Sequence, residues 1–331
     1  MNDIRPLLEI QNLAITITVA REPRLLVRDV SLSVQAGQAL GVVGESGSGK
    51  SLTAKAVMRL LPDRSQVGGR VLVDGRDVLS LARKDLARLR RREIAMIHQD
   101  PRSAMNPVRT IGDFLSEGVR DRPADERRQL AVDALAEVGI PDADRRFAQY
   151  PHQLSGGLLQ RVMIAGVLMP GPRLILADEP TTALDVTTQS EVMAVLSDLQ
   201  HRRGVGMVFI THDLDLAAAV TDNLGVMYAG SIVEIGPTAS VQTAPLHPYT
   251  VALMTSRPST TNVEPLKTIP GRPVAAYEVG AGCSFAPRCP FAQALCREEA
   301  PELQHIGDHK VACHRAKELA GHIEEKLEVL S

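Results

Sequence analysis

The run Gly44-Glu45-Ser46-Gly47-Ser48-Gly49-Lys50-Ser51 fits the pattern G-x-x-x-x-G-K-S/T and constrains the fold more than any other stretch of the chain. Its glycines allow successive backbone N–H groups to turn toward one concavity, where they bind phosphate oxygens. Lys50 adds a positive charge at the β- and γ-phosphates, Ser51 offers a hydroxyl to Mg2+, and the helix that begins there, with Leu52 next, points its positive end inward. Such a loop needs a buried strand before it and a helix after it. Gln38 to Val43 supplies the apolar run, and Leu52 to Leu61 reads as the helix, ended by Pro62. The pattern therefore predicts a bound nucleoside triphosphate, but kinases, GTPases, helicases and transport ATPases all share it, so it names no single function.

Composition narrows the class. With 331 residues, 44% of them hydrophobic, the chain can bury a sizeable core and carry one large domain plus an appendage. A formal net charge of -2 gives no basic field for a phosphate backbone, which argues against nucleic acid as a partner. No run approaches the ~18 apolar residues that span a bilayer, and Met1 to Leu8 lack the apolar core of a signal peptide. The expectation is a cytosolic chain that only a partner could hold at a membrane. All four cysteines lie beyond residue 280, and in a reducing compartment metal ligation is a better expectation than crosslinking.

Along the chain, Leu8 and Ile10 alternate on one register, followed by Leu13, Ile15, Ile17 and Val19 on the other, as in half-buried antiparallel strands. Arg70 to Val73 adds a strand closing in the turn Asp74-Gly75. From about Asp100 to Gln153 the pattern becomes helical, with Leu130, Ala134, Leu135 and Val138 in one stripe and Gly139 after it. A strand at Leu174 to Ala177, a helix striped by Val192, Val195, Leu196 and Leu199, and a strand at Met207 to Ile210 then restore an α/β alternation, which implies a parallel sheet. Beyond Gly236, prolines at 237, 245, 248, 258, 265, 270 and 273 suggest a linker and an irregular appendage.

Chemistry concentrates at strand ends. Asp178 and Glu179 stand at the C-terminal end of the strand Leu174 to Ala177, where open α/β sheets bind ligands. Asp178 would reach Mg2+ and Glu179 would polarise the water that attacks a γ-phosphate. Just upstream, Leu154-Ser155-Gly156-Gly157-Leu158-Leu159-Gln160-Arg161 places Ser155 and two glycine N–H groups at a helix start, a favourable anion site. This element resembles the signature motif of ATP-binding cassette (ABC) ATPases, which kinases and GTPases lack. Gln99 then resembles the family's Q-loop glutamine, also a Mg2+ contact, while Ala183-Leu184-Asp185 resembles its D-loop and His212 its switch histidine. The resemblance implies a P-loop ABC nucleotide-binding domain: a RecA-like core with an antiparallel β subdomain and a helical subdomain, plus a small irregular C-terminal extension. It also implies that two such domains sandwich two ATPs head to tail, each phosphate loop facing the other's signature. Ile17 stands where the family usually stacks adenine on an aromatic, and loss of that contact could cost on the order of 1 kcal/mol of affinity.

Gln99 to Pro107, Ala177 to Val186, Val226 to Gly230 with Glu234, and His247-Pro248-Tyr249-Thr250 resemble the oligopeptide/dipeptide importer ATPases over nearly the whole chain. That resemblance implies ATP hydrolysis at the cytoplasmic face of the membrane. The implied partners are a second, homologous ATPase in a heterodimer, two membrane permeases and an external solute-binding protein. Nickel importers are close relatives, so nickel or a metal chelate is the alternative solute, and a soluble non-transport ABC ATPase is a distant second. Cys283, Cys289, Cys296 and Cys313, separated by five, six and sixteen residues, resemble a C-terminal extension that can bind an iron-sulfur cluster of the 4Fe-4S type. Four thiolates also suit zinc, and free thiols are the third reading. The expected organisation is an ABC ATPase domain over 1–240, its helical subdomain at about 100–160, and the extension over 241–331.

Overall fold

The structure, a computed structural model, describes residues 5–182, 184–256, 269 and 271–321. The chain divides into two compact units: one holds residues up to Leu8, Val34–Ala39 and Val73–Ile210, the other Glu9–Ser33, Leu40–Leu72 and the chain from Thr211 onward.

The second unit begins with a hairpin of β1 (Leu8–Val19) and β2 (Glu22–Val34), closed by Ala20 and Arg21, whose φ angles are 51° and 71°. The change of register in β1 has a visible cause. Asn12 takes φ 50° and Asp29 takes φ 51°, and Asn12 Nδ2 donates to Asp29 Oδ1 at 2.6 Å. This paired kink shifts the inward face of both strands by one residue, so Leu8 and Ile10 are buried and then Leu13 and Ile15, and on β2 Val27 and then Val30 and Leu32. The fully buried β3 (Ala39–Val43) leads through the phosphate loop into α1 (Lys50–Val57). That helix stops before the expected Leu61, because Arg59 turns to φ 50° and the Leu60 N–H returns to the Lys55 carbonyl at 2.8 Å. β4 (Gln66–Val73) lies beside β1 and ends in the Asp74-Gly75 turn, both residues at positive φ as a tight hairpin requires.

In the first unit β5 (Arg76–Asp77) and the basic α2 (Arg83–Arg92) precede β6 (Ile94–Ile97). A run of helices follows: α3 (Pro101–Ala104), α4 (Ile111–Ser116), α5 (Ala124–Glu137), α6 (Ala143–Phe147) and α7 (Gly156–Leu168). The α5 stripe buries Ala134, Leu135 and Val138, and Gly139 at φ 73° ends the helix as its position suggests. β7 (Leu174–Asp178) is parallel to β6 and to β8 (Gly206–Thr211), with α8 (Val186–Arg203) as the crossover between β7 and β8.

The second unit resumes with α9 (Leu214–Val220), β9 (Asn223–Tyr228) parallel to β3, and β10 (Ser231–Pro237) antiparallel to β9. The segment beyond Gly236 is less irregular than its prolines suggest. It forms α10 (Thr238–Thr243), α11 (Pro248–Thr255) and α12 (Ala294–Glu298), then a hairpin of β11 (Gln304–Ile306) and β12 (His309–Val311), and α13 (Ala316–Leu319). β12 pairs with β10, Glu234 opposite Val311, so the extension lengthens the sheet. Pro248 opens a helix, where its missing N–H costs nothing; Pro258, Pro265 and Pro270 lie outside the described residues.

A buried carboxylate organises this attachment. Glu234, fully buried, accepts the N–H groups of Leu246 (2.8 Å) and His247 (3.0 Å) and meets His309 Nδ1 at 2.9 Å. That contact with Glu234 raises the pKa of His309. His247 behaves oppositely: its Nδ1 accepts the Tyr249 N–H at 3.0 Å, and burial pushes its pKa down to about 4. Between pH 6.5 and 4 the unfolded chain takes up a proton at His247 that the folded chain refuses, so stability falls as pH falls through that window, by roughly 3 kcal/mol in full. His309 contributes in the other direction, its share being lost as pH rises through its raised pKa. Urea midpoints at pH 7 and pH 4.5 check the first effect: His247→Asn, whose amide oxygen still accepts the Tyr249 N–H, is expected to lose less stability on acidification than the wild type.

Candidate functional site

In the second unit the phosphate loop is shaped by three glycines at positive φ: Gly44 (154°), Gly47 (81°) and Gly49 (103°), the last being the N-cap of α1. Lys50, almost fully buried, donates from Nζ to the carbonyls of Gly44 at 2.7 Å and Glu45 at 3.0 Å, and the Ser48 N–H returns to the Glu45 carbonyl at 3.2 Å. Ser46 and Gly47 form the exposed tip; Ser51 and Leu52 are half-buried in the first turn of α1. The loop is also gripped from outside. The Gly230 N–H donates to the Ser48 carbonyl at 2.9 Å, the Glu45 N–H donates to Tyr249 Oη at 3.0 Å, and Arg288 pairs with the Glu45 carboxylate. In the same unit His212 follows β8 at an exposed position, beside Asp213, which caps α9.

In the first unit the structure brings Gln99 and Glu179 together: Gln99 Nε2 donates to Glu179 Oε2 at 3.2 Å. Thr182 Oγ1 donates to the same oxygen at 3.0 Å, a partner that sequence reasoning missed. Glu179 sits at φ 47° just past β7, tied down by its N–H on the Ile210 carbonyl at 2.9 Å, and Asp178 is buried as the last residue of the strand. Here the backbone is strained to turn a carboxylate off the strand end, a cost of about 1–3 kcal/mol that surrounding contacts must hold.

The signature and the D-loop also meet. Ser155 caps α7, its Oγ accepting the Leu158 N–H at 3.4 Å, and Gln160 is buried one turn on. Asp185 caps α8, accepting from the Thr188 N–H at 3.0 Å and from Thr188 Oγ1 at 2.7 Å, and these bonds lower its pKa. The two helix starts pack closely: a Cβ on Gly157 would stand 2.2 Å from Thr188 Cγ2, and one on Gly156 would be 3.5 Å from Leu184 Cδ2. Ala183 lies outside the described residues.

The four cysteines, all free thiols, line one pocket of about 20 Å³ together with Phe285 and His314, room for roughly one water. Burial pushes Cys289 up to about 12 and Cys313 up to about 11, and Cys283 is raised by the same cause. The metal expected at these residues has no coordination geometry here: among the described residues no group of three or more His, Cys, Asp or Glu is placed to hold a metal ion. Instead, two of the cysteines pack against apolar side chains, Cys289 against Val251, Phe291 and Leu319, and Cys313 against Leu246, Val311 and Ala316. Arg288 was visible in the sequence only as the residue before Cys289. Its ionic partner, 243 positions away, left no local signal.

Comparison with known proteins agrees with this geometry. The family model of the ABC transporter matches residues 27–182, and that of the oligopeptide/dipeptide transporter C-terminal region matches residues 233–296. A Brucella abortus (strain 2308) protein named as a peptide import ATP-binding protein is 40% identical over 336 residues, covering 96% of this chain and 99% of the relative. A Sinorhizobium fredii protein named as a peptide ABC transporter ATP-binding protein is 44% identical over 298 residues, covering 88% and 89%. Among solved structures, a dimeric ATP-binding cassette in a post-hydrolysis state bound to ADP and Pi is 28% identical with a TM-score of 0.63, covering 70% of this chain and 98% of that one. The chain belongs to the ABC transporter ATP-binding family. Within it, the full-length relatives just described carry names of peptide import. No helix among the described residues is long and apolar enough to cross a membrane.

The loop geometry yields a direct test. A Cβ on Gly44 would stand 2.0 Å from the Met227 carbonyl oxygen, backbone that cannot step aside cheaply. Gly44→Ala is therefore expected to destabilise the chain by about 3 kcal/mol and to abolish binding of a fluorescent ATP analogue, read by calorimetric melting and equilibrium titration.

Proposed function

We propose that this chain is the ATP-binding and ATP-hydrolysing subunit of an importer that moves di- and oligopeptides across the cytoplasmic membrane. The observation that carries the reading is the Glu179 carboxylate, turned off the end of β7 and held by Gln99 and Thr182. In this reading Glu179 takes a proton from the attacking water as its oxygen bonds to the γ-phosphorus, and the bond to the ADP oxygen breaks. Lys50 and the N–H groups of Gly44 to Ser51 hold the phosphate charge, and His212 contacts the γ-phosphate. Ser51, Gln99 and Asp178 would supply oxygen ligands to a Mg2+ bound with the nucleotide, whose charge would offset that of the triphosphate.

Ser155, Gly156, Gly157, Gln160 and Asp185 serve the partner's nucleotide in a head-to-tail heterodimer with a second, homologous ATPase. Two permeases and an external solute-binding protein complete the machine, and the ATPases work from its cytoplasmic face. The names of the relatives and the match to the oligopeptide/dipeptide C-terminal region support the peptide assignment. The expected division into an ATPase domain over 1–240 and an extension over 241–331 belongs to the same reading.

The cysteines carry a finer reading, a 4Fe-4S cluster that staples the extension. It is supported by the four cysteines lining one pocket. Zinc held by the same four thiolates is the alternative. Full-length protein prepared without oxygen is expected to be brown and to contain iron and sulfide, whereas a colourless protein with stoichiometric zinc overturns the cluster.

Glu179→Gln tests the main reading in the assembled transporter. ATP binding is expected to persist while hydrolysis and peptide uptake drop at least about 100-fold; undiminished turnover refutes the assignment.

A further inference from the structure

A carboxylate inside an anion-binding loop is an electrostatic liability, and Glu45 is such a carboxylate. It follows Gly44 directly and its backbone carbonyl is one of the two that receive Lys50 Nζ. Left alone it would repel the phosphates that the loop exists to hold. The structure assigns its neutralisation to Arg288, from the cysteine-bearing extension. The guanidinium meets the carboxylate as a fork, Nη1 to Oε2 at 2.7 Å and Nη2 to Oε1 at 3.1 Å, with the arginine side chain 4% exposed and that of the glutamate 22%.

Every neighbour of this pair limits its movement. Arg288 Nη1 also donates to Tyr228 Oη at 3.3 Å and Nη2 to the Ile269 carbonyl at 3.4 Å. Tyr249 Oη accepts the Glu45 N–H, and the rings of Tyr228, Tyr249 and Phe285 pack with centroids 4.6 to 5.3 Å apart. Phe285 is a wall of the cysteine pocket as well. Arg288 itself rides on a single turn between two cysteines, with the Ala286 N–H on the Cys283 carbonyl at 3.0 Å and the Cys289 N–H on the Ala286 carbonyl at 3.4 Å. A short, continuous set of contacts thus runs from the cysteine pocket to the phosphate loop.

We propose that the C-terminal extension positions the phosphate loop, with Arg288 as the positioning residue that fixes Glu45 and cancels its charge, so that this ion pair sets the affinity for ATP. The proposal rests on the nucleotide-binding reading above, and it concerns ground-state binding more than chemistry. Removing the arginine should therefore raise KM for ATP and leave kcat nearly unchanged.

The test uses the full-length chain for titration with a fluorescent ATP analogue and the assembled transporter for kinetics. Arg288→Ala is expected to weaken analogue binding roughly tenfold, and adding Glu45→Gln to the same chain to restore it to within about threefold, because the unpaired negative charge is gone. Arg288→Lys, which keeps the charge but loses the fork, should fall between them, with KM raised about threefold and kcat within about twofold of the wild type. A purely structural role predicts that Glu45→Gln rescues nothing, and that result overturns the proposal, as does unchanged binding in Arg288→Ala. Should Arg288→Ala fail to fold, the lysine variant decides: an unchanged KM refutes the positioning role. A wild-type chain that binds no analogue refutes the nucleotide-binding reading instead, so the two failures are distinguishable.

Discussion

A loop that grips phosphate with its own backbone cannot hold itself in shape by burying side chains, so its form depends on what holds its carbonyls and N–H groups from outside. Here Lys50 binds two loop carbonyls, Gly230 binds the Ser48 carbonyl, and Tyr249 and Arg288 hold Glu45. Gly44 lies so close to the Met227 carbonyl that no side chain fits. Most of these contacts come from residues far along the chain. The local motif sets the loop's own backbone, while the turn after β9 and the extension supply its outside contacts.

The Glu179 carboxylate shows the same logic in the other unit. Glu179 occupies a backbone conformation that its own residue type disfavours. Its N–H bond to the Ile210 carbonyl, with Gln99 and Thr182 on the carboxylate, supplies the restraint. Two ends of neighbouring parallel strands, β7 and β8, thus fix one acid, which is why such acids recur at the carboxyl ends of α/β sheets.

How much of this was legible depended on range. The phosphate loop, the strand ending in Asp178-Glu179, the α5 stripe and the turn at Asp74-Gly75 are local patterns, and they appear where the sequence places them. The register change in β1 was legible too, but its cause was not, since Asn12 kinks only in company with Asp29 on the next strand. Ala20 and Arg21 close a hairpin without glycine or asparagine, so no turn signal marked them. The prolines after Gly236 suggested irregularity because local composition cannot report that β12 pairs with β10, a contact about eighty residues long in sequence that only tertiary structure reveals. The cysteines share one pocket, whereas the described residues show no metal-holding group for the cluster that the family resemblance implies.

Among the described residues of the extension, Val251 packs with Phe291 and Leu319, Leu246 packs with Val311 and Ala316, and Tyr249 packs on Phe285. At ~1.5–3 kcal/mol per fully buried large side chain, clusters of that size do little more than offset the entropy of ordering the chain around them. The remaining order comes from directional contacts: Glu234 with three partners, Arg315 on the Phe291 carbonyl at 2.9 Å, and Arg288 on Glu45. Contacts of this kind are sensitive to small displacements, because a charged hydrogen bond weakens with angle and distance whereas apolar burial only declines with area. An extension held in this way depends on the geometry of its attachment points as well as on its core. One of those attachment points is the carboxylate of the phosphate loop.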